Sequence, residues 1–416
     1  MIVLSGADLV LPDRTLSPGT LVIDGGRIAE VRAGSAPADR RHDVSVLPLP
    51  RHYVVPGFVD VHVHGVEGVD TLDGCDGQNP VASMAARLPR YGVTAFCPTT
   101  VACSPDALAR VLAFVGAARR SPAAGAARVL PAHLESNFIS DEFRGAQPRS
   151  CLRMPRRALT SPGASRATPA VQPSAADFEA SDLLSEMERA AAEVGIVTLA
   201  PELDGGLDLI RWVSSRGHRA SLGHSGASFE MGLAAAEAGA CHATHLFNRM
   251  PPLLHRAPGL AGAVLEREDV AAELICDGFH VHPAFVRMAV AVKGASRVMA
   301  ITDGTALSGL KAGARATLGG QPIVAGEGAA FLADGTIAGS VLTMDRAFRM
   351  LVQTMGFPMT TAAALCSTTA ARELGLGDRG VLATGATADL VVLDEHLAVV
   401  QTYIGGELAY TRDALK

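Results

Sequence analysis

Residues 59–65 read VDVHVHG. Side chains of a β-strand alternate between its two faces, so Asp60, His62 and His64 share one face and Val59, Val61 and Val63 the other. Two imidazoles at i, i+2 can place two nitrogens on one divalent ion. A hydrogen-bonded pair of core histidines gives the same pattern, so the rest of the chain must decide. PAHLES carries His133 and Glu135, SLGHSGA carries His224, CHATHLFN carries His242 and His245, and MAITDGT carries Asp303. Each closes an apolar, strand-like run. Unpartnered polar groups buried at so many strand ends are costly, and one open metal site accounts for them together.

The elements that must carry these residues are legible from the texture of the chain. Its middle alternates runs such as GVTAFCPTT, AARVLPAHLE and GIVTLAPE with Ala-rich helical runs such as PDALARVLAFVGAARR and FEMGLAAAEAG. That rhythm predicts an α/β protein with a parallel sheet, and at this length a closed (β/α)8 TIM-type barrel over residues 54–383. Barrel active sites lie at the C-terminal ends of the strands, where the polar residues fall. The two ends of the chain are different. IVLSGADLVL, TLVIDGGRIAEV, ADLVVLD and LAVVQTYIGGELAY read as short strands with Gly-Gly turns, which predicts a small β-sandwich domain from residues 1–53 and 384–416. Residues 149–176 hold five arginines, no acid and many Pro, Ser and Ala, and read as an irregular insertion: a solvated linker or a basic lid.

Of the 416 residues, 48% are hydrophobic and 19% charged, which suits a large buried core. The net charge of −6 argues against a nucleic-acid partner. No apolar run reaches membrane-spanning length, and the opening MIVLSGADLV lacks the basic start of a signal peptide. The seven cysteines are scattered and never form CxxC, so neither a disulfide framework nor a cysteine zinc site is expected. A cytoplasmic location follows.

The order PGFVDVHVHG, HLE, VTLAPE, GHS, HATHLFNRMPP, DGFHV, ITDGT and AGSVLTM resembles the amidohydrolase superfamily and, within it, the N-acetylglucosamine-6-phosphate deacetylases. VTLAPE and HATHLFN are specific to that family; VDVHVHG alone points only to the superfamily. The resemblance covers essentially the whole chain outside the insertion. It implies that Glu135, His224 and His245 hold a divalent metal, most simply zinc, with iron and manganese also suited to the ligand set. His62 and His64 could hold a second ion, a pair that some family members keep and others replace. Asp303 would be the general base and acid, and His280 would polarise the acetamide carbonyl or hold the sugar. Ala146, Asn248, Arg256, Ile337, Ala338 and Gly339 match substrate contacts, with Arg256 reaching the phosphate across a homodimer. Many binuclear members bridge their metals with a carboxylated lysine on a middle strand. No lysine precedes Lys293 here, and Glu135 is the implied substitute.

Four positions depart from the family pattern. Ser136 and Asn137 replace a Gly-Pro pair, Gln147 replaces a histidine, and Arg249 replaces a small residue. All four are expected beside the substrate, with Gln147 and Arg249 touching it. The reading is metal-dependent deacetylation of N-acetylglucosamine 6-phosphate or a close analogue. The alternatives are a deacetylase of another N-acetylated amino sugar in a specialised biosynthetic pathway, and a catalytically silent barrel that binds sugar phosphates.

Overall fold

A computed structural model of the chain describes residues 1–36, 44–74, 78–160 and 178–412. Eight parallel strands form the barrel: β1 (Phe58–Val63), β2 (Val93–Thr100), β3 (Ala132–Glu135), β4 (Val194–Leu199), β5 (Arg219–Leu222), β6 (Ala240–Ala243), β7 (Ala271–Ile275) and β8 (Val298–Ile301). They are paired in chain order. Helices cover the outside, so both faces of each strand are buried and the sequences run almost continuously apolar; every residue of β2, VTAFCPTT, is buried. The ring closes through backbone bonds between the ends of β8 and β1, from Asp303 N to His62 O (2.9 Å) and from His64 N to Gly304 O (2.8 Å). Closure thus brings Asp303 beside the histidines of VDVHVHG.

The helix between β2 and β3, Pro105–Arg120, shows why the local sequence folds as it does. Ser104 caps it by accepting from Ala107 N, proline occupies the first turn, and Arg119 and Arg120 sit at the negative end of the dipole. Its Leu108, Val111, Leu112 and Val115 stripe is buried against the barrel. Ser104→Ala removes the cap at a cost of about 1 kcal/mol.

Strands from both ends of the chain make one eight-stranded sheet. Glu407–Thr411, Val399–Ile404, Leu390–Leu393, Tyr53–Pro56, Ile2–Val10, Thr15–Asp24 and Arg27–Ala33 follow one another across it, and Ser45–Pro48 pairs with Ile2–Val10. The two Gly-Gly turns read from the sequence pack together. A Cβ on Gly26 would meet Gly405 O at 2.9 Å, so the turns tolerate no side chain there.

Two features differ from expectation. A four-stranded antiparallel sheet, Arg315–Leu318, Gln321–Ala325, Ala329–Phe331 and Ile337–Ser340, follows β8 and delivers Ile337 and Gly339 to the barrel mouth. The supposed insertion at 149–176 opens with a 3-10 turn at Arg149–Cys151 and a helix at Pro155–Thr160, not as irregular chain. Three of its arginines make local ties: Arg149 pairs with Asp141 at 2.7 Å, Arg156 with Asp204 and Asp208, and Arg153 stacks 3.7 Å from the Phe178 ring centroid. Residues 161–176 of that expected insertion lie outside the described residues.

Candidate active site

Six of the expected residues converge at the C-terminal mouth of the barrel. Glu135 ends β3, and its Oε1 lies 2.8 Å from His224 Nε2 and 2.9 Å from His245 Nε2, which are themselves 3.1 Å apart. His62 Nε2 and His64 Nε2 are 3.2 Å apart, and each is 3.3 Å from Asp303 Oδ1. His64 Nε2 also lies 3.5 Å from Glu135 Oε2, so the two groups share the Glu135 carboxylate.

The backbone is bent to achieve this. His224, His245 and Asp303 have φ of +48°, +32° and +48°, a left-handed region that costs a non-glycine residue of the order of 1–3 kcal/mol unless the surroundings impose it. They do: the carbonyls of the three accept from Ser140 N (2.9 Å), Asn248 N (2.9 Å) and Ser340 N (2.8 Å) respectively. Each bend turns the residue just past a strand end toward the barrel axis.

The hydrogen bonds at the rear of the rings fit these side chains to a cation. His224 Nδ1 lies 2.8 Å from the Phe143 carbonyl, which can only accept, so Nδ1 carries the proton. His62 Nδ1 likewise faces Glu273 Oε2 at 2.9 Å. In the neutral rings, Nε2 then presents a lone pair toward another nitrogen and a carboxylate oxygen, which is repulsive unless a cation lies among them. One oxygen and two imidazole nitrogens form an open ligand set of catalytic type, and His62, His64 and Asp303 form a second group of ligand atoms beside it. Burial depresses His62 to about 4. Burial acts the same way on His64, but hydrogen bonds to Asp303 and Glu135 reverse it and raise that ring to about 10. Glu135 is held well below the usual carboxylate range, its burial outweighed by His224, His245 and His64.

The site opens into a cavity of about 480 Å³ whose wall includes Ala146, Gln147, Asn248, Arg249, His280, Ile337 and Gly339. His280 is oriented by a 2.6 Å bond from Nδ1 to Asp277 Oδ2, and its buried Nε2 has no hydrogen-bond partner among the described residues. Ala338 is buried behind the wall, and Arg256 is exposed on the loop beyond it; neither lines the cavity.

Several expectations are corrected here. Ser136 and Asn137 do not face the cavity. Ser136 Oγ donates to Thr198 O (2.5 Å), and Asn137 Nδ2 donates to Cys103 O and Cys151 O (2.7 Å each), so both tie loops together behind it. Gln147 does reach the cavity, but its amide is already engaged: Oε1 accepts from Ala102 N at 2.7 Å and Nε2 donates to Glu135 Oε2. His133 lies beneath the site between Val61 O (3.0 Å) and Thr198 Oγ1 (2.7 Å). His242 points away from it, 3.8 Å from Glu373. Asp60 binds Thr302 Oγ1 at 2.6 Å and clamps β1 to β8. Glu273 and Asp277, which orient His62 and His280, were not singled out in the sequence. The only signal for Glu273 is a lone acid in an apolar strand, AAELI.

The chain matches the Amidohydrolase family over residues 53–409. It is 33% identical over 407 residues to the N-acetylglucosamine-6-phosphate deacetylase of Bacillus subtilis, covering 97% of this chain and 95% of that one. It is also 33% identical over 368 residues to the N-acetylgalactosamine-6-phosphate deacetylase of Escherichia coli O157:H7, covering 88% and 90%. Its structure superposes with a TM-score of 0.83, 32% identity and 99% coverage of both chains on a mutant N-acetyl-D-glucosamine-6-phosphate deacetylase from Mycobacterium smegmatis in complex with N-acetyl-D-glucosamine-6-phosphate. The chain therefore belongs to the amidohydrolase family, a class of metal-dependent hydrolases. Within that class it falls among the N-acetylglucosamine-6-phosphate deacetylases.

Proposed function

We propose that this protein hydrolyses the N-acetyl group of N-acetylglucosamine 6-phosphate, or of a close analogue, to acetate and the free amino sugar. The observation that carries the reading is the convergence of Glu135, His224 and His245 with His62, His64 and Asp303 at the mouth of one cavity. A divalent ion held by Glu135, His224 and His245 supplies the Lewis acidity that amide hydrolysis needs near neutral pH. Zinc suits this oxygen and nitrogen set, as do iron and manganese, and His62 with His64 offers a place for a second ion. Asp303, facing the cavity beside them, takes a proton from the attacking water and returns it to the departing amine. His280 presents its free Nε2 to the substrate carbonyl or a sugar hydroxyl. Ala146, Asn248, Ile337 and Gly339 shape the sugar pocket.

The reading extends to the assembly. Arg256 is exposed outside its own cavity, as an arginine serving a neighbouring subunit of a homodimer must be. A cytoplasmic location belongs to the same reading; among the described residues no helix is long and apolar enough to cross a membrane. Residues 1–53 with 384–416 are the small β domain of this reading and 54–383 the barrel, the strand Tyr53–Pro56 crossing the boundary as part of the terminal sheet.

Acetate release from N-acetylglucosamine, its 6-phosphate and N-acetylgalactosamine 6-phosphate, measured beside metal content, tests the proposal. Release from the 6-phosphate with bound divalent metal is expected; no release from any N-acetyl amino sugar would overturn it. A second reading, deacetylation of a different N-acetylated amino sugar, draws on Gln147 and Arg249 in the cavity wall. It predicts turnover of such a sugar and failure on N-acetylglucosamine 6-phosphate. A silent sugar-phosphate-binding barrel would have no use for Asp303 as a proton shuttle.

A further inference from the structure

Arg249 is the sole arginine or lysine among the described residues that line the cavity. Its guanidinium makes one hydrogen bond, from Nη2 to Ile337 O at 3.3 Å, and no carboxylate among the described residues lies within ion-pair distance. Most surface arginines of this chain are paired with acids; this one, half-buried at the site, is not.

Three loops hold it there. Its own backbone is left-handed, φ +52°, and its carbonyl accepts from Ser225 N at 3.1 Å, one residue beyond His224. Its guanidinium reaches across to the strand that carries Ile337 and Gly339. Beneath it lies Gly145, where a Cβ would meet Arg249 Nε at 2.5 Å, so the glycine makes room for the side chain. A strained backbone, a cleared floor and a single weak tie leave most of the five N–H donors of a permanent cation available beside the reaction site. The ligand that fits is an oxyanion with at least two acceptor oxygens, which the planar fork binds through paired hydrogen bonds.

We infer that Arg249 reads the anionic group of the substrate, its phosphate, from within the same chain. This rests on the proposed deacetylase reading and sharpens it: the cavity carries its own phosphate-recognising charge, whatever an exposed Arg256 adds from a neighbour.

The test compares wild type, Arg249→Ala, Arg249→Gln, Arg249→Lys and Arg256→Ala. Acetate release is measured on N-acetylglucosamine and its 6-phosphate, and the melting temperature is measured with glucosamine 6-phosphate and with inorganic phosphate. Arg249→Gln retains an amide donor for Ile337 O and separates loss of charge from loss of the tie. Arg249→Ala and Arg249→Gln are expected to raise KM for the 6-phosphate roughly tenfold or more, as loss of a charge-assisted bond does. They should largely keep kcat, erase the preference for the phosphorylated sugar and abolish phosphate-induced stabilisation, while Arg249→Lys recovers part of each. An undiminished preference for the 6-phosphate in Arg249→Gln overturns the inference while leaving the deacetylase reading standing. So does a wild type that neither phosphate compound stabilises. Absence of acetate from every sugar sinks the deacetylase reading instead, and the melting experiment still judges Arg249.

Discussion

His62 Nδ1 lies 2.9 Å from Oε2 of Glu273, an acid with no exposed surface in the middle of β7. The same oxygen accepts, at 3.4 Å, from the backbone N–H of His245, so one carboxylate steadies two of the residues proposed to bind metal. Burial raises the Glu273 pKa, opposed by His133, His242 and His245 around it. Such an acid fixes the tautomer and the angle of the ring in front of it.

Glu273→Gln should therefore leave the barrel folded but free His62 to turn or to adopt the other tautomer. A loss of roughly 10–100-fold in metal affinity is expected, the usual effect of removing such a partner. Competition with a chromophoric chelator checks it. Equal affinity in variant and wild type would make Glu273 a packing residue only.

Gln147 offers a related test on the other side of the site. Its amide joins Ala102 N to Glu135 Oε2, both buried. Gln147→Leu strips Ala102 N of its partner and leaves Glu135 Oε2 with His64 alone, and should cost about 1–3 kcal/mol, read as a lower melting temperature together with weaker metal retention. Gln147→Glu sets a second carboxylate against Glu135 and should be worse on both counts. Were Gln147 only a substrate contact, KM would change and neither stability nor metal retention would.

These two relationships mark where sequence reading stops. His62, His64, Glu135, His224, His245 and Asp303 were legible because ligand-type residues at strand ends have one common destination in a parallel barrel. Glu273 was not, since only ring closure brings β7 under β1. Ser136 and Asn137 follow Glu135 directly in the chain, yet the turn after β3 aims them at backbone carbonyls and not at the cavity. The four-stranded sheet at 315–340 has strands too short for an alternating pattern to show. The helix at Pro155–Thr160 was hidden by composition, because its anchors, Asp204 and Asp208, are distant in sequence.

Asp303 makes the sharpest functional prediction. Its Oδ1 lies 3.3 Å from both His62 Nε2 and His64 Nε2, and its side chain is 10% exposed, so it can meet a substrate in the cavity. Asp303→Asn keeps the shape but cannot carry the proton. Turnover should fall about 10²–10⁴-fold, while the metal held by Glu135, His224 and His245 is retained. Stopped-time acetate assays beside elemental analysis decide it, and unchanged turnover removes Asp303 from the mechanism.

Metal stoichiometry separates the roles of the two ligand groups. The double variant His62→Ala/His64→Ala should lose one equivalent of metal and keep the other. One equivalent in both proteins would assign the histidine pair to structure and leave a single-ion site.

The final prediction concerns stability away from the site. Glu373 pairs with Arg297 at 3.0 Å, with Arg372 at 3.0 Å and with His242 at 3.8 Å, and its side chain is 12% exposed. Burial alone would raise its pKa, but the neighbouring His242 ring, the hydrogen bond from Arg372 and the charge of Arg297 prevail and hold it at about 2, below its ordinary 4.5. A carboxyl group whose pKa is lower in the folded chain than in the unfolded one stabilises the fold above the unfolded value. That contribution disappears as pH falls from 4.5 through about 2. Glu373→Gln should consequently melt a few degrees lower at neutral pH, and the gap from wild type should close across that acid window. Because both proteins share every other titrating group, including the metal-site residues, the difference between their melting curves isolates Glu373. A gap that is absent at neutral pH, or that stays constant down the acid limb, would show that the arginines and His242 gain nothing from its charge.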